Sequence, residues 1–440
     1  MAHSVYVASA EGHTAKSVVA LGIVEALAAK FDRVNVFRAI SAGTSDQDPV
    51  LELLHAAAKP SVPLSQCRGI SYRQVHESAD IAMSEVLERY KNVESQSDAV
   101  VVLGSDYTDV LGTSEFEFNA RIATTLGIPM VLVFNGRQAF TTTETMGQAA
   151  ARSAQDIEAM TSLVLQEAKQ AHTSILALVI NRADPDNLAT IRDSVKSGLA
   201  QDIPVWAIPE DPHLLAPRMS QILEAVDGRL AYGDPAALDV EAMDLTVAAM
   251  TPEHVLQRIA DDSVVIVPSD RTDVLLALLM ADASSTFPRL AGIVINGGFE
   301  ISQTVQQLIE GLHPRVPVIE TTGTSFGVTL KVSATRGVVS AKDPDKVARA
   351  SRLARENIEF DQLIAGITEF SNTVITPILF EYQLVQRAKS DKKTIVLPEG
   401  TDDRILQAAS EVLQREIANL IILGIPAEIS ARAKTLGLDL

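Results

Sequence analysis

At 440 residues, with 47% hydrophobic and 21% charged side chains, the chain has length for two or three domains and enough apolar surface to bury packed cores. A formal net charge of −19 argues against nucleic acid and anionic membrane surfaces as partners, and no apolar run reaches the ~18 residues of a membrane span. One cysteine, Cys67, precludes an internal disulfide, residues 1–30 lack a secretory pattern, and the eight histidines show no zinc-binding spacing. These features predict a cytoplasmic protein with no metal centre.

The first predicted strand is Val5-Tyr6-Val7-Ala8, followed by the loop Ser9–Ser17 and a helix from Lys16 to Lys30. A phosphate-binding loop of the form G-x-x-x-x-G-K-[ST] belongs at this position, its glycines letting backbone N–H groups curl around phosphate. Lys16 and Ser17 are in register with it, and Gly12 and Thr14 lie inside it, so these four are candidate nucleotide or effector ligands. Ala10 and Ala15 occupy both glycine positions, where a Cβ resists the required conformations, and Glu11 adds negative charge. Tight nucleotide binding is therefore not expected. The plainer alternative is a turn capped by Thr14 with Lys16 in solvent.

Further strands are predicted near 34–40, 98–104, 129–134, 175–181 and 203–208, with helices at 72–91 and 116–126; residues 41–75 are polar in part and broken by prolines, with Pro60–Gln66 (PSVPLSQ) reading as a surface excursion. Asp106, after the strand near 98–104, is a candidate magnesium-holding acid or, equally, a cap. Strands alternating with helices at this spacing predict a doubly wound parallel sheet.

Residues 222–249 are rich in Ala, Asp and Gly, show no clear strand, and predict a boundary. A second, smaller α/β block follows, with strands near 264–267, 292–295 and 316–319. Asp270 and Arg271, in the word Ser269-Asp270-Arg271-Thr272-Asp273, and Asn296, in Asn296-Gly297-Gly298, lie on loops after strands and are candidate effector contacts. The alternative for Asp270 and Arg271 is an internal ion pair with a helix cap. The loop Thr321–Ser325 and a helix over 343–359 complete the block.

The closing stretch, Arg387 to Gly424, reads as one β-α-β unit: Thr394–Leu397, a Pro398-Glu399-Gly400 turn, a helix opened by Asp402 and Asp403, and Leu420–Leu423. With one more helix to 436, this is the incomplete start of an α/β domain.

The words TPILFEYQL and IVLPEG in this stretch resemble the entry to the catalytic domain of long-form phosphate acetyltransferases. The first block is similar to the dethiobiotin-synthetase-like P-loop domain of those enzymes, and the second resembles their DRTGG domain, with DRTDV in place of DRTGG at Asp270–Val274. The resemblance implies domains at 1–225, 226–368 and 369–440, and acetyl transfer between acetyl-coenzyme A and phosphate. It implies coenzyme A and acetyl-coenzyme A as substrates rather than tightly bound cofactors, small-molecule effectors, and a homo-oligomer. It would make Asn181 an adenine contact if the P-loop worked. No catalytic residue carries over, since those of the family are expected beyond Leu440, and the chain alone is expected to be inactive. Two alternatives stand beside it: an ATP-dependent ligase of the dethiobiotin synthetase kind, and a non-enzymatic effector-binding module.

Overall fold

Short β-branched runs, buried on both faces, build the first sheet, as a parallel sheet covered by helices requires. In the computed structural model, which describes residues 2–41, 48–105, 115–138 and 149–440, its strands are β1 (His3–Ser9), β2 (Val34–Ser41), β3 (Arg68–Ser71), β4 (Ala99–Leu103), β5 (Met130–Asn135), β6 (Ile175–Ala183) and β7 (Val205–Pro209). They lie in the order β3-β2-β4-β1-β5-β6-β7, and every pair is parallel. The chain winds one way from β1 to β3 and the other way from β5 to β7. A crevice opens at the carboxyl ends of the strands near this reversal, where open α/β sheets bind ligands.

The second sheet contains β8 (Arg229–Tyr232), β9 (Asp244–Val247), β10 (Ser263–Pro268), β11 (Leu290–Asn296) and β12 (Val318–Glu320), in the order β8-β12-β11-β10-β9. Only β8 runs antiparallel to its neighbour. Alternation along β10 divides the core: Val265 and Val267 pack with Leu278 and Ile309 on one face, Val264 and Ile266 with Val328 and Val332 on the other. Pro317 immediately precedes β12, where its missing N–H takes nothing from the ladder. The expectation that 222–249 holds no strand is corrected by β8 and β9. Both are four-residue edge strands with no buried residue, so the apolar signal of a central strand is absent.

One more expectation needs correction. The helix expected over 72–91 is two helices, Tyr72–Glu77 and Ala79–Ser95, parted at Ser78, whose extended backbone (φ −164°) cannot continue a helical ladder. The excursion expected at 60–66 lies between the helix Pro49–Ala57 and the edge strand β3 and is exposed except at buried Val62 and half-buried Leu64.

After the second sheet the chain returns to the first. Ala350, Ala354 and Ile358 of the helix Pro344–Asn357, and Leu363, Ile364 and Ile367 of the helix Phe360–Glu369, are buried in the first core. The helix Lys16–Lys30 receives them at Gly22, where an added Cβ would lie 2.7 Å from Ala354 Cβ and from the Phe360 ring. Ion pairs reinforce the junction: Arg218 with Asp343 (2.7 Å), Lys346 with Glu241 (3.3 Å) and Arg349 with Asp211 (3.0 Å). The last unit pairs β13 (Thr394–Leu397) in parallel with β14 (Asn419–Ile422) across the helix Asp403–Gln414. Asp402 caps that helix, accepting from the N–H groups of Arg404 (2.9 Å) and Ile405 (3.4 Å). Among the described residues no helix is long and apolar enough to cross a membrane.

Candidate functional site

The crevice at the carboxyl ends of β1, β4, β5 and β6 is a cleft of about 550 Å³, lined by Ser9, Leu103, Asn135 and Arg182 from those strands and by Thr14 to Val18 of the P-loop-like segment. Its far wall is the segment 334–339, which leaves the second sheet on its way to the returning helices. Gly337 lets that segment pass close by. Its N–H donates to Leu215 O (2.8 Å), and an added Cβ would lie 2.3 Å from Ala216 O.

The loop adopts left-handed geometry without the glycines that usually supply it. Ala15, the residue before the helix, has φ 51°, and His13 has φ 58°. Each such residue costs about 1–2 kcal/mol, and neighbouring side chains offset that strain. The Asn181 amide donates to Thr14 O (2.8 Å) and Ala15 O (3.0 Å), and Arg182 Nη1 donates to His13 O (3.0 Å). Glu11, whose charge counted against phosphate, is folded back onto Arg152 through two hydrogen bonds (2.9 and 2.7 Å) and accepts from the Asn135 N–H (2.9 Å). A second cluster holds the loop's flank: buried Glu210 pairs with Arg182 (2.7 Å) and with Arg137.

Lys16 is not in solvent. It is 7% exposed, and its ammonium donates to Ser105 O beyond the end of β4. Burial drives its pKa well below the ordinary value, repulsion from Arg38 adds to this, and Glu115 and Asp48 act in the opposite sense. Arg38 is itself buried, paired with Asp48 at 3.2 Å, and shifted downward by desolvation. Of the other loop candidates, Ser17 is half-buried at the cleft, Thr14 is buried against it, and Gly12 is half-buried in the loop. Asp106 lies outside the described residues. Asn181 is 2% exposed, with its amide engaged by the loop carbonyls rather than open to a base.

The loops of the second sheet satisfy themselves. Arg271 pairs in two contacts with Asp273 (3.0 and 3.1 Å) and donates to Met250 O (3.0 Å), while Asp270 is exposed. The departure from DRTGG to DRTDV thus supplies the partner of the arginine, lowering the Asp273 pKa through that hydrogen bond. Asn296 is 1% exposed, and its amide bridges two elements: it donates to Val267 O (3.2 Å) and accepts from the Ser325 N–H (2.9 Å). The Ser269 hydroxyl accepts from the Phe299 N–H (3.0 Å), and Thr321 donates to Val226 O (2.8 Å).

The structure therefore gathers Thr14, Lys16, Ser17 and Asn181 around one cleft and leaves Asp270, Arg271 and Asn296 on another domain. Arg137, Arg152, Arg182, Glu210 and Arg336 were not apparent as site residues. Only Arg182, beside Asn181 at a strand's carboxyl end, carried a local signal. Among the described residues no group of His, Cys, Asp or Glu is placed to hold a metal ion.

Three sequence families match in order along the chain: an AAA domain over residues 3–218, a DRTGG domain over 221–335, and phosphate acetyl/butaryl transferase over 379–440. The phosphate acetyltransferase of Nitratidesulfovibrio vulgaris is 27% identical over 453 aligned positions, covering 100% of this chain and 62% of that protein. The phosphate acetyltransferase of Synechocystis is likewise 27% identical, with 100% and 62% covered. The chain thus spans about three fifths of the length of these relatives. Among solved structures, the septum site-determining protein MinD with Mg-ADP from Pyrococcus horikoshii overlaps 49% of this chain and 84% of its own, at 17% identity and a TM-score of 0.30, which carries no weight for function. The three families in this order, together with relatives matching from end to end of the chain, make it similar to the long-form phosphate acetyltransferases.

Proposed function

We propose that the protein acts in the reversible transfer of an acetyl group between coenzyme A and phosphate, with acetyl-coenzyme A and acetyl phosphate as its substrates. The observation that carries this is the match of residues 379–440 to the transferase family, in a chain whose relatives of that name align along its full length. Residues 369–440 open the catalytic domain, and residues 1–225 and 226–368 are regulatory. The helices 344–369, buried in the first core, hold the second part to the first. The cleft beside Lys16 is the site at which a small-molecule effector would act. A ligase using ATP finds less support, since the Asn181 amide is held by Thr14 and Ala15.

The chemistry needs a base for the thiol, donors for the tetrahedral intermediate and a hold on phosphate. No described residue is assigned to these roles. The test measures acetyl-coenzyme A formation by the chain alone and by the chain joined to the portion of the Nitratidesulfovibrio relative that it does not match. The chain alone is expected to be silent and the fusion to turn over. A folded fusion without turnover, under conditions where the relative is active, would refute the proposal.

A further inference from the structure

The cleft contains hydrogen-bonding capacity that the protein leaves unused. The backbone N–H groups of Gly12, His13, Thr14 and Ala15 have no acceptor among the described residues. The hydroxyls of Ser9 and Thr14 line the cleft from side chains 2% and 3% exposed, and neither makes a hydrogen bond within the described residues. His13, Thr14 and Ala15 line the cleft together with Ser9, so their backbone donors and the two hydroxyls offer a ligand rich in acceptors several partners at once. Opposite the loop stands Arg336, whose guanidinium donates only to the carbonyls of Ser333 and Thr335 (3.1 Å for the latter) and has no carboxylate partner among the described residues. Its side chain remains exposed, yet enclosure by the protein and the nearby charge of Arg182 hold its pKa below the ordinary value. A second cation held near Arg182 is relieved when an anion arrives.

Among the described residues, the side chain at the position that would read a nucleoside base is already engaged. The Asn181 amide is committed to two loop carbonyls, and the wall across from the loop is the chain segment 336–339. We propose that the cleft binds a compact phosphate-bearing anion, held between the amides and hydroxyls of the Ser9–Ser17 loop and the guanidinium of Arg336, with no nucleoside recognised. Arg336 lies on the segment that joins the second sheet to the returning helices, so the anion bridges the two domains. Occupancy of the cleft then tightens the junction between them. This rests on the reading of the cleft as an effector site and deepens it by naming the ligand class, while binding measured without turnover keeps its failure distinct from a failure of the acetyl-transfer reading.

The experiment titrates inorganic phosphate, pyrophosphate and AMP into the full 440-residue chain by calorimetry, alongside Arg336→Gln and Thr14→Val. Among the described residues neither substitution removes an internal side-chain bond of the core: Arg336 bonds only neighbouring carbonyls, and the Thr14 hydroxyl bonds nothing. Phosphate or pyrophosphate is expected to bind saturably, and Arg336→Gln to weaken it by about ten-fold or more, as loss of a charge-assisted hydrogen bond implies. Thr14→Val is expected to weaken it several-fold, and AMP to bind no more tightly than pyrophosphate. Absence of saturable binding by either inorganic anion would overturn the proposal. So would binding that both variants leave unchanged, which would place the anion elsewhere, or AMP binding much more tightly, which would restore nucleoside recognition.

Discussion

Replacing Glu210 by Gln tests how the walls of the cleft are held. The Glu210 carboxylate is 9% exposed with its residue and serves two arginines: Arg182, through Nη2 at 2.7 Å and Nε at 3.1 Å, and Arg137. Arg182 passes the restraint on, since its Nη1 holds His13 O at 3.0 Å in the loop. Removing one partner of a buried pair costs about 3–5 kcal/mol, because a charge is left without compensation. Gln keeps one oxygen for Arg182 but turns an amide N–H₂ towards Arg137, so about 3 kcal/mol is expected. The assay is urea unfolding followed by Trp206, the single tryptophan, 6% exposed on the strand next to the one that carries Arg182. With a urea dependence of about 3 kcal/mol per M for this first domain, the midpoint should fall by about 1 M. The exposed pair Arg73–Glu77, with side chains 82% and 61% accessible, is the control. Glu77→Gln should change stability by no more than about 0.5 kcal/mol. If Glu210→Gln shifts the midpoint no further than this control, with an unchanged slope, the buried cluster is not what stabilises the loop's flank.

Cys67 offers a test by pH. Its thiol is 0% exposed, directed at Pro63 O (3.6 Å), and burial pushes its pKa up to about 11. The unfolded thiol ionises from about 9, while the native thiol keeps its proton until about 11, so the native state binds more protons in that window and loses stability as pH rises through it. The interval is worth up to about 2.7 kcal/mol at about 1.36 kcal/mol per pH unit, and Cys67→Ala should lack that part of the decline; parallel declines would show that the thiol does not contribute. Lys346→Met tests the junction between the sheets, because the Lys346 ammonium, 3% exposed, bonds Ala216 O (2.5 Å) and pairs with Glu241. Glu241 is partly exposed and keeps His213 at 3.3 Å, so a loss of about 1–3 kcal/mol is expected, seen as separation of one unfolding transition into two. A single transition with an unmoved midpoint would refute the role given to Lys346.

The parallel sheet was legible because its central strands are buried on both faces and read as unbroken apolar runs, such as Ala99–Leu103 and Met130–Asn135. Strands β8 and β9 were not, because an edge strand of four half-exposed residues has neither the run nor a clean alternation. The loop Ser9–Ser17 was found by its Lys16 and Ser17, but the backbone its missing glycines would leave was not. Ala15 takes up positive φ anyway, since Asn181, more than 160 residues away in sequence, holds its carbonyl. The pairing of Arg271 is local, yet which neighbour it takes was not legible: Asp273, two residues on, and not adjacent Asp270, faces the guanidinium. A contact such as that of Asn181 with Ala15 is set by tertiary packing, which local spacing does not encode.

Arg336 shows the same limit with more consequence. Nothing in the word Ala334-Thr335-Arg336-Gly337 marks a ligand site, and the sequence assigns it to the second block. It reaches the first because the chain does not leave the second sheet for the last unit directly. It first passes along the cleft and then buries Ala350, Ala354 and Ile364 in the core that the helix Lys16–Lys30 also closes. The loop and the segment carrying Arg336 are thus anchored to one helix, the loop at the amino end of Lys16–Lys30 and the returning helices at Gly22, midway along it. An anion between them closes a ring of contacts that already exists on its other side. Binding there need not move a domain to be felt; it only has to stabilise further a segment that the bonds of Gly337 to Leu215 and of Lys346 to Ala216, and the burial of Val339, already hold to the first domain. Two domains that share one helical core and one cleft have their stabilities coupled, so an effector acting at the cleft reaches both.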